Sequence, residues 1–184
     1  MGTTALLYGA ATFAVFYFCS GVAVLGPRRL ITPAACSVML MVTWFVSNMT
    51  TLLVGRPYDI IANFPMDLIC GLIVLGLFIR EPQTWKAALA LCFLTQALSH
   101  VWFVGVSEDR FWADLLAGRG YEPLTYLGDA ERRVGYRTWL NAVYILELVT
   151  VTMPGALYVG SVAGGWVRRR AVRRGLAVSR QERD

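Results

Sequence analysis

Thr4–Gly26 reads TALLYGAATFAVFYFCSGVAVLG, and Ile31–Val54 reads ITPAACSVMLMVTWFVSNMTTLLV. Neither stretch holds a charged side chain. At about 1.5 Å per helical residue, each is long enough to cross the roughly 30 Å of hydrocarbon in a bilayer. Gly26, Pro27 and Pro33 put a tight turn between them, which makes the two segments antiparallel neighbours. Backbone in lipid must satisfy its own N–H and C=O groups, so a span is a helix or a strand of a closed barrel. Barrel strands of about ten residues alternate apolar and polar side chains. No such alternation occurs here, and both segments read as transmembrane helices.

Working outward, three more segments are long and apolar: Ile60–Ile79 with Asp67 inside it, Ala87–Val106 with His100, and Leu140–Val167 with Glu147. The sequence therefore predicts an all-α, polytopic transmembrane bundle of five spans, at about 4–26, 31–54, 60–79, 87–106 and 140–167. An outer loop covers 107–138, and a basic tail covers 168–184. Composition agrees. Of 184 residues, 57% are hydrophobic and 16% charged, and mean hydropathy is +0.54. A soluble domain is about half apolar and a quarter charged, so a soluble enzyme, a disordered chain and a disulfide-rich secreted fold are excluded. Span 1 lacks a basic leader and is followed by Arg28 and Arg29, which reads as a retained span rather than a signal peptide.

Basic residues set the expected orientation. One side carries eleven: Arg28, Arg29, Arg80, Lys86 and the tail arginines 168, 169, 170, 173, 174, 180 and 183. The other carries six: Arg56, Arg110, Arg119, Arg132, Arg133 and Arg137. The first side is expected to be cytoplasmic, with the N-terminus outside and the chain multi-pass in the cell (inner) membrane. Trp85 and Trp166 then fall at inner boundaries, and Trp102 and Trp139 at outer ones, the depth that indoles prefer.

Punctuation refines the spans. Pro65 either opens span 3 or sits inside a longer helix beginning near Tyr58. The longer helix is favoured, because a start at Pro65 leaves a short span before Arg80. Pro154 falls in the middle of span 5 and removes the hydrogen bond to the carbonyl of Thr150. Beyond it, Ala156, Gly160 and Gly164 recur every four residues. Such a strip permits close helix approach, either by span 1 or by a second copy of the chain. In the outer loop, Glu108–Ala117 reads as a short amphipathic surface helix carrying Phe111, Trp112 and Leu115. The tail is expected to fray. Its arginines suit anionic inner-leaflet lipid, and no aromatic or fold signature for nucleic acid accompanies them.

The most informative feature is a polar level. Ionisable groups inside spans are costly and face a partner or water. Counted from the outer ends of their spans, Asn48, Asp67, His100 and Glu147 all lie about six or seven residues down, roughly 10 Å deep. Helical spacing adds Gln96 to the face of His100, and Asn141 and Tyr144 to that of Glu147. Asn48, Asp67, Gln96, His100, Tyr144 and Glu147 are thus expected to line an outward-facing polar pocket for a small solute, a cation or a proton. Asp67, His100 and Glu147 are the ligands to test should a metal bind, although no metal-binding spacing accompanies them, and no cofactor is indicated. Hydrolase motifs such as G-x-S-x-G and H-E-x-x-H are missing. Cys19, Cys36, Cys70 and Cys92 form no C-x-x-C pair and read as small packing residues. Two other readings stay open. The polar level serves a structural subunit by stapling helices, or the chain is a pore-forming lytic protein that oligomerises through span 5. In composition alone, apolar spans closed by a basic tail resemble a phage holin, which would imply pore formation.

Overall fold

The computed structural model describes the backbone of residues 3–53, 58–107 and 130–181, and side chains within 6–53, 63–101 and 134–170. Among the described residues, the fold comprises five α-helices and one short 3-10 turn, with no strand. They are α1 (Thr3–Leu25), the turn Arg28–Leu30, α2 (Ile31–Leu53), α3 (Tyr58–Arg80), α4 (Thr84–Ser107) and α5 (Ala130–Gln181). The all-α fold read from the sequence is the one observed. The amphipathic segment 108–117 lies outside the described residues.

The chain runs up and down, and cross-helix contacts fix the directions. Thr12 of α1 meets Tyr144 of α5 at 2.6 Å, and the Cys19 thiol donates to the Val151 carbonyl at 3.7 Å. Both pairs have the same residue offset, so α1 and α5 run parallel. Asn63 of α3 donates to Ser47 of α2 at 3.1 Å, and Trp139 of α5 donates to Ser99 of α4 at 2.9 Å. Each helix packs on its sequence neighbours, and α1 and α2 both touch α5, which closes the ring. Two glycines permit the closest approaches. A Cβ at Gly71 would sit 3.3 Å from the backbone nitrogen of Leu94 on α4, and one at Gly9 would sit 2.6 Å from the Trp44 ring on α2.

The core fills one half of the ring. Leu40, Val74, Leu89, Phe93 and Val151 are fully buried there, with Cys19, Cys36 and Cys70 around them. Large apolar side chains also cover the outside of the bundle, including Leu25, Leu53, Ile79, Leu98 and Leu157, while Asp67, Gln96, His100 and Glu147 are inside. Among the residues whose side chains are described, four segments are long and apolar enough to cross a membrane: Leu6–Leu25, Arg28–Thr50, Asn63–Arg80 and Val134–Arg170. Lys86, Gln96 and His100 sit on α4. All three are buried by the rest of the bundle.

Several boundaries differ from the sequence reading. Helix α5 covers residues expected in the outer loop and in a frayed tail, running from Ala130 to Gln181. Once a span has nucleated a helix, extension costs little per residue. Helix α3 starts at Tyr58 with Pro65 inside, and α5 continues through Pro154. Near Pro154, the Thr152 hydroxyl lies 3.1 Å from the Leu148 carbonyl and 2.8 Å from that of Val149, neither of which is the Thr150 carbonyl that the proline frees. Trp85 lies in the first turn of α4. It is buried, and its indole N–H donates to Gln83 Oε1 at 2.6 Å. Lys86, counted among the basic residues of the expected cytoplasmic side, is only 1% exposed, and its Nζ reaches Glu81 Oε2 at 2.8 Å and the Glu81 carbonyl at 3.1 Å.

Candidate functional site

The polar residues assemble at the end of the bundle opposite Lys86. Antiparallel packing of α3 against α4 brings Asp67 beside His100, and Asp67 Oδ2 lies 3.0 Å from His100 Nε2. The other ring nitrogen, Nδ1, is hydrogen-bonded to the hydroxyl of Tyr136 on α5. Both nitrogens of the imidazole are therefore engaged, one by a carboxylate and one by a phenol. Asp67 and His100 are buried, and Tyr136 is half-buried.

Glu147 completes the cluster from α5. It is 1% exposed, and neither carboxyl oxygen has a hydrogen-bond partner. It lies within electrostatic range of Asp67, and Cys70, Cys92 and Tyr144 lie within range of it. Buried polar atoms are nearly always paired, since leaving one unpaired costs about 1–3 kcal/mol. Two orphan oxygens on one carboxyl make Glu147 the least self-satisfied polar side chain described.

The remaining residues of the expected site are placed less centrally. The Tyr144 hydroxyl pairs with Thr12, whose hydroxyl also donates to the Tyr8 carbonyl at 2.7 Å, and its ring meets that of Tyr8 edge-on at 6.0 Å. Gln96 is buried one turn below His100. Asn48 is half-buried and donates to the Trp44 carbonyl of its own helix at 2.8 Å. Its amide is thus committed to its own helix and not to His100. Among the described residues, no three His, Cys, Asp or Glu side chains are arranged to hold a metal ion. All four cysteines are free and buried.

Sequence reasoning missed Tyr136, which was assigned to the outer loop. A signal for it existed. Glu147, Tyr144, Leu140 and Tyr136 follow one another at helical spacing on one face, so extending that stripe one turn beyond the expected span reaches it. Trp139 and Ser99 were likewise not expected to join α4 to α5.

The strip Ala156, Gly160 and Gly164 is exposed, and a Cβ at Gly160 or Gly164 would meet nothing within 4 Å. Within one chain, span 1 approaches α5 at Gly155 instead, where a Cβ would lie 2.9 Å from the Phe18 ring. At the far end of α5, Arg170 stacks on Trp166 with its guanidinium carbon 4.9 Å from the ring centre.

No protein-family model, curated protein or solved structure matches the chain.

Proposed function

We propose that this is a membrane-embedded binding or transport protein whose site, in the half of the bundle that holds Tyr136, takes a small cationic species or a proton. The observation that carries this reading is Glu147, a fully buried carboxyl with both oxygens unpaired beside the Asp67–His100 pair. Two carboxyl groups near each other in a low-dielectric interior favour a positive occupant. A purely structural staple would satisfy its own members, as a half-satisfied buried network is worse than an apolar one. Asn48, Gln96 and Tyr144 are its flanking residues, and by charge distribution the site faces outward. The same distribution places the Arg168–Arg170 end of α5 against anionic inner-leaflet lipid.

The test is chemical access. Gln96→Cys, one turn below His100, should react from outside with a small cationic thiosulfonate faster than with an anionic one, in sealed vesicles. The parent chain, with its four buried thiols, should not react. Absence of labelling would overturn an open cation site.

A second reading, oligomerisation through α5 with pore formation, has one observation in its favour: Ala156, Gly160 and Gly164 are exposed, and a Cβ at either glycine would meet nothing within 4 Å. Dye leakage from vesicles carrying the protein, abolished by Gly160→Leu, is the result that would favour it.

A further inference from the structure

We propose that the occupant of this site is the proton, and that Tyr136, His100 and Asp67 form a relay exchanging it between one end of the bundle and the Asp67–Glu147 acid pair. The proposal rests on the binding reading above and narrows its ligand.

His100 carries the argument. A neutral imidazole accepts a proton on one nitrogen and releases one from the other. That use requires both nitrogens to be engaged, one toward the supply and one toward the store. The observed ring meets the requirement, with Nδ1 on the Tyr136 hydroxyl and Nε2 on Asp67 Oδ2. Tyr136 is half-buried, whereas His100, Asp67 and Glu147 are all buried. A metal or alkali cation would want convergent free oxygens, whereas Asp67 is already committed to the imidazole and no three-ligand group is present among the described residues.

The step balances. A proton from hydronium at that end is taken by the Tyr136 oxygen, leaving water, as the Tyr136 hydroxyl proton passes to Nδ1. The Nε2 proton then passes to an Asp67 oxygen. One proton has entered, the ring has changed tautomer, and a carboxylate has become a carboxylic acid, with no electron transferred. Reversal releases the proton by the same path. Asp67 and Glu147 interact electrostatically, so they hold the proton as one coupled pair.

The groups around the pair are known for each helix. They are Asp67 and Cys70 from α3, Cys92, Gln96 and His100 from α4, and Tyr136, Tyr144 and Glu147 from α5. From α1, Thr12 reaches the site through Tyr144, and from α2, Cys36 is within range of Cys70. Below the pair, Leu40, Val74, Leu89, Phe93 and Val151 close the core without a polar atom in their side chains. The relay is therefore an exchange site served from one end.

The chain contains a single histidine, which makes the test direct. Full-length protein labelled with 15N-histidine is placed in lipid nanodiscs, and the exchange of the His100 ring protons with water is read by NMR. Tyr136→Phe should slow exchange by roughly 100-fold, the lower end of what a positioned proton-transfer group contributes. Asp67→Asn still accepts a hydrogen bond but cannot take the proton, and it should remove pH dependence from the ring tautomer balance. Sodium, potassium and methylammonium at fixed pH should leave the His100 signals unmoved. Unchanged exchange in Tyr136→Phe, or an unaltered pH dependence in Asp67→Asn, overturns the relay. A saturable shift with one of the cations overturns the proton as occupant while keeping the binding reading. Signals that respond to neither pH nor cation overturn both.

Discussion

Glu147→Met asks what an unpaired buried carboxyl costs. The side chain is 1% exposed, and neither oxygen has a hydrogen-bond partner. Met has nearly the same length, is apolar, and adapts to irregular surroundings. Removing an unsatisfied buried polar group recovers its desolvation penalty, about 1–3 kcal/mol. In a bilayer the unfolded reference state also finds partners, which reduces such differences toward about 1 kcal/mol. We expect Glu147→Met to stabilise the bundle by about 1–2 kcal/mol, a gain in the folding constant of roughly 5- to 30-fold. It should also remove any dependence of His100 on the site's occupant. Natural sites of this kind hold strain that function requires. The assay is equilibrium unfolding in mixed micelles, with Trp fluorescence as the signal. A loss of 1 kcal/mol or more would mean that Glu147 makes native bonds, and the reasoning from an orphan carboxyl would fail.

The α1–α5 contact gives a paired test. Gly155→Leu has to displace Phe18 and should destabilise by about 1–3 kcal/mol, as overpacking does, while Gly160→Leu projects into open space and should stay within about 0.5 kcal/mol in the monomer. Equal losses, measured by the same micellar unfolding, would contradict the placement of α1. Hydrogen bonding and the charge of Lys86 hold the Glu81 carboxyl below its ordinary range. A depressed carboxylate stabilises above its unfolded pKa, and that contribution is lost as pH falls through the folded value. Acid should therefore weaken the parent chain more than Glu81→Gln in stability scans below about pH 5, and identical profiles would refute the clamp. For topology, a cytoplasm-active reporter fused after Asp184 should give signal, and one inserted between Gly118 and Gly128 should not. The reverse pattern would overturn the orientation.

Much of the fold was legible because lipid leaves few options. Uncharged stretches such as Thr4–Gly26 have to be helices, and short turns such as Gly26-Pro27 make neighbours antiparallel. Helical arithmetic also brought Asp67, Gln96, His100 and Glu147 to one interior, as depth and facing follow from 1.5 Å and 100° per residue. The ends of α5 were not legible in the same way. Hydropathy falls outside Leu140–Val167, but helix propagation does not stop where apolarity does, so Tyr136 was counted as loop. The packing of Trp85 and Lys86 was hidden for a related reason. Composition says that both suit a boundary, and only packing reveals that α4 turns them inward. Asn48 has the right depth, but its amide bonds to its own helix, a local alternative always open to Asn.

The central claim is that Asp67, His100 and Glu147 form one site, and the titration of the single histidine tests it most directly. Its 15N signals are followed against pH in the parent chain, in Glu147→Gln, and in Glu108→Gln as a control in the outer segment. Coupled groups titrate together, whereas a charge in solvent is screened within about 8–10 Å. Glu147→Gln should move the His100 titration, and Glu108→Gln should leave it in place. A His100 titration unmoved by both substitutions would place Glu147 outside the site and contradict the account.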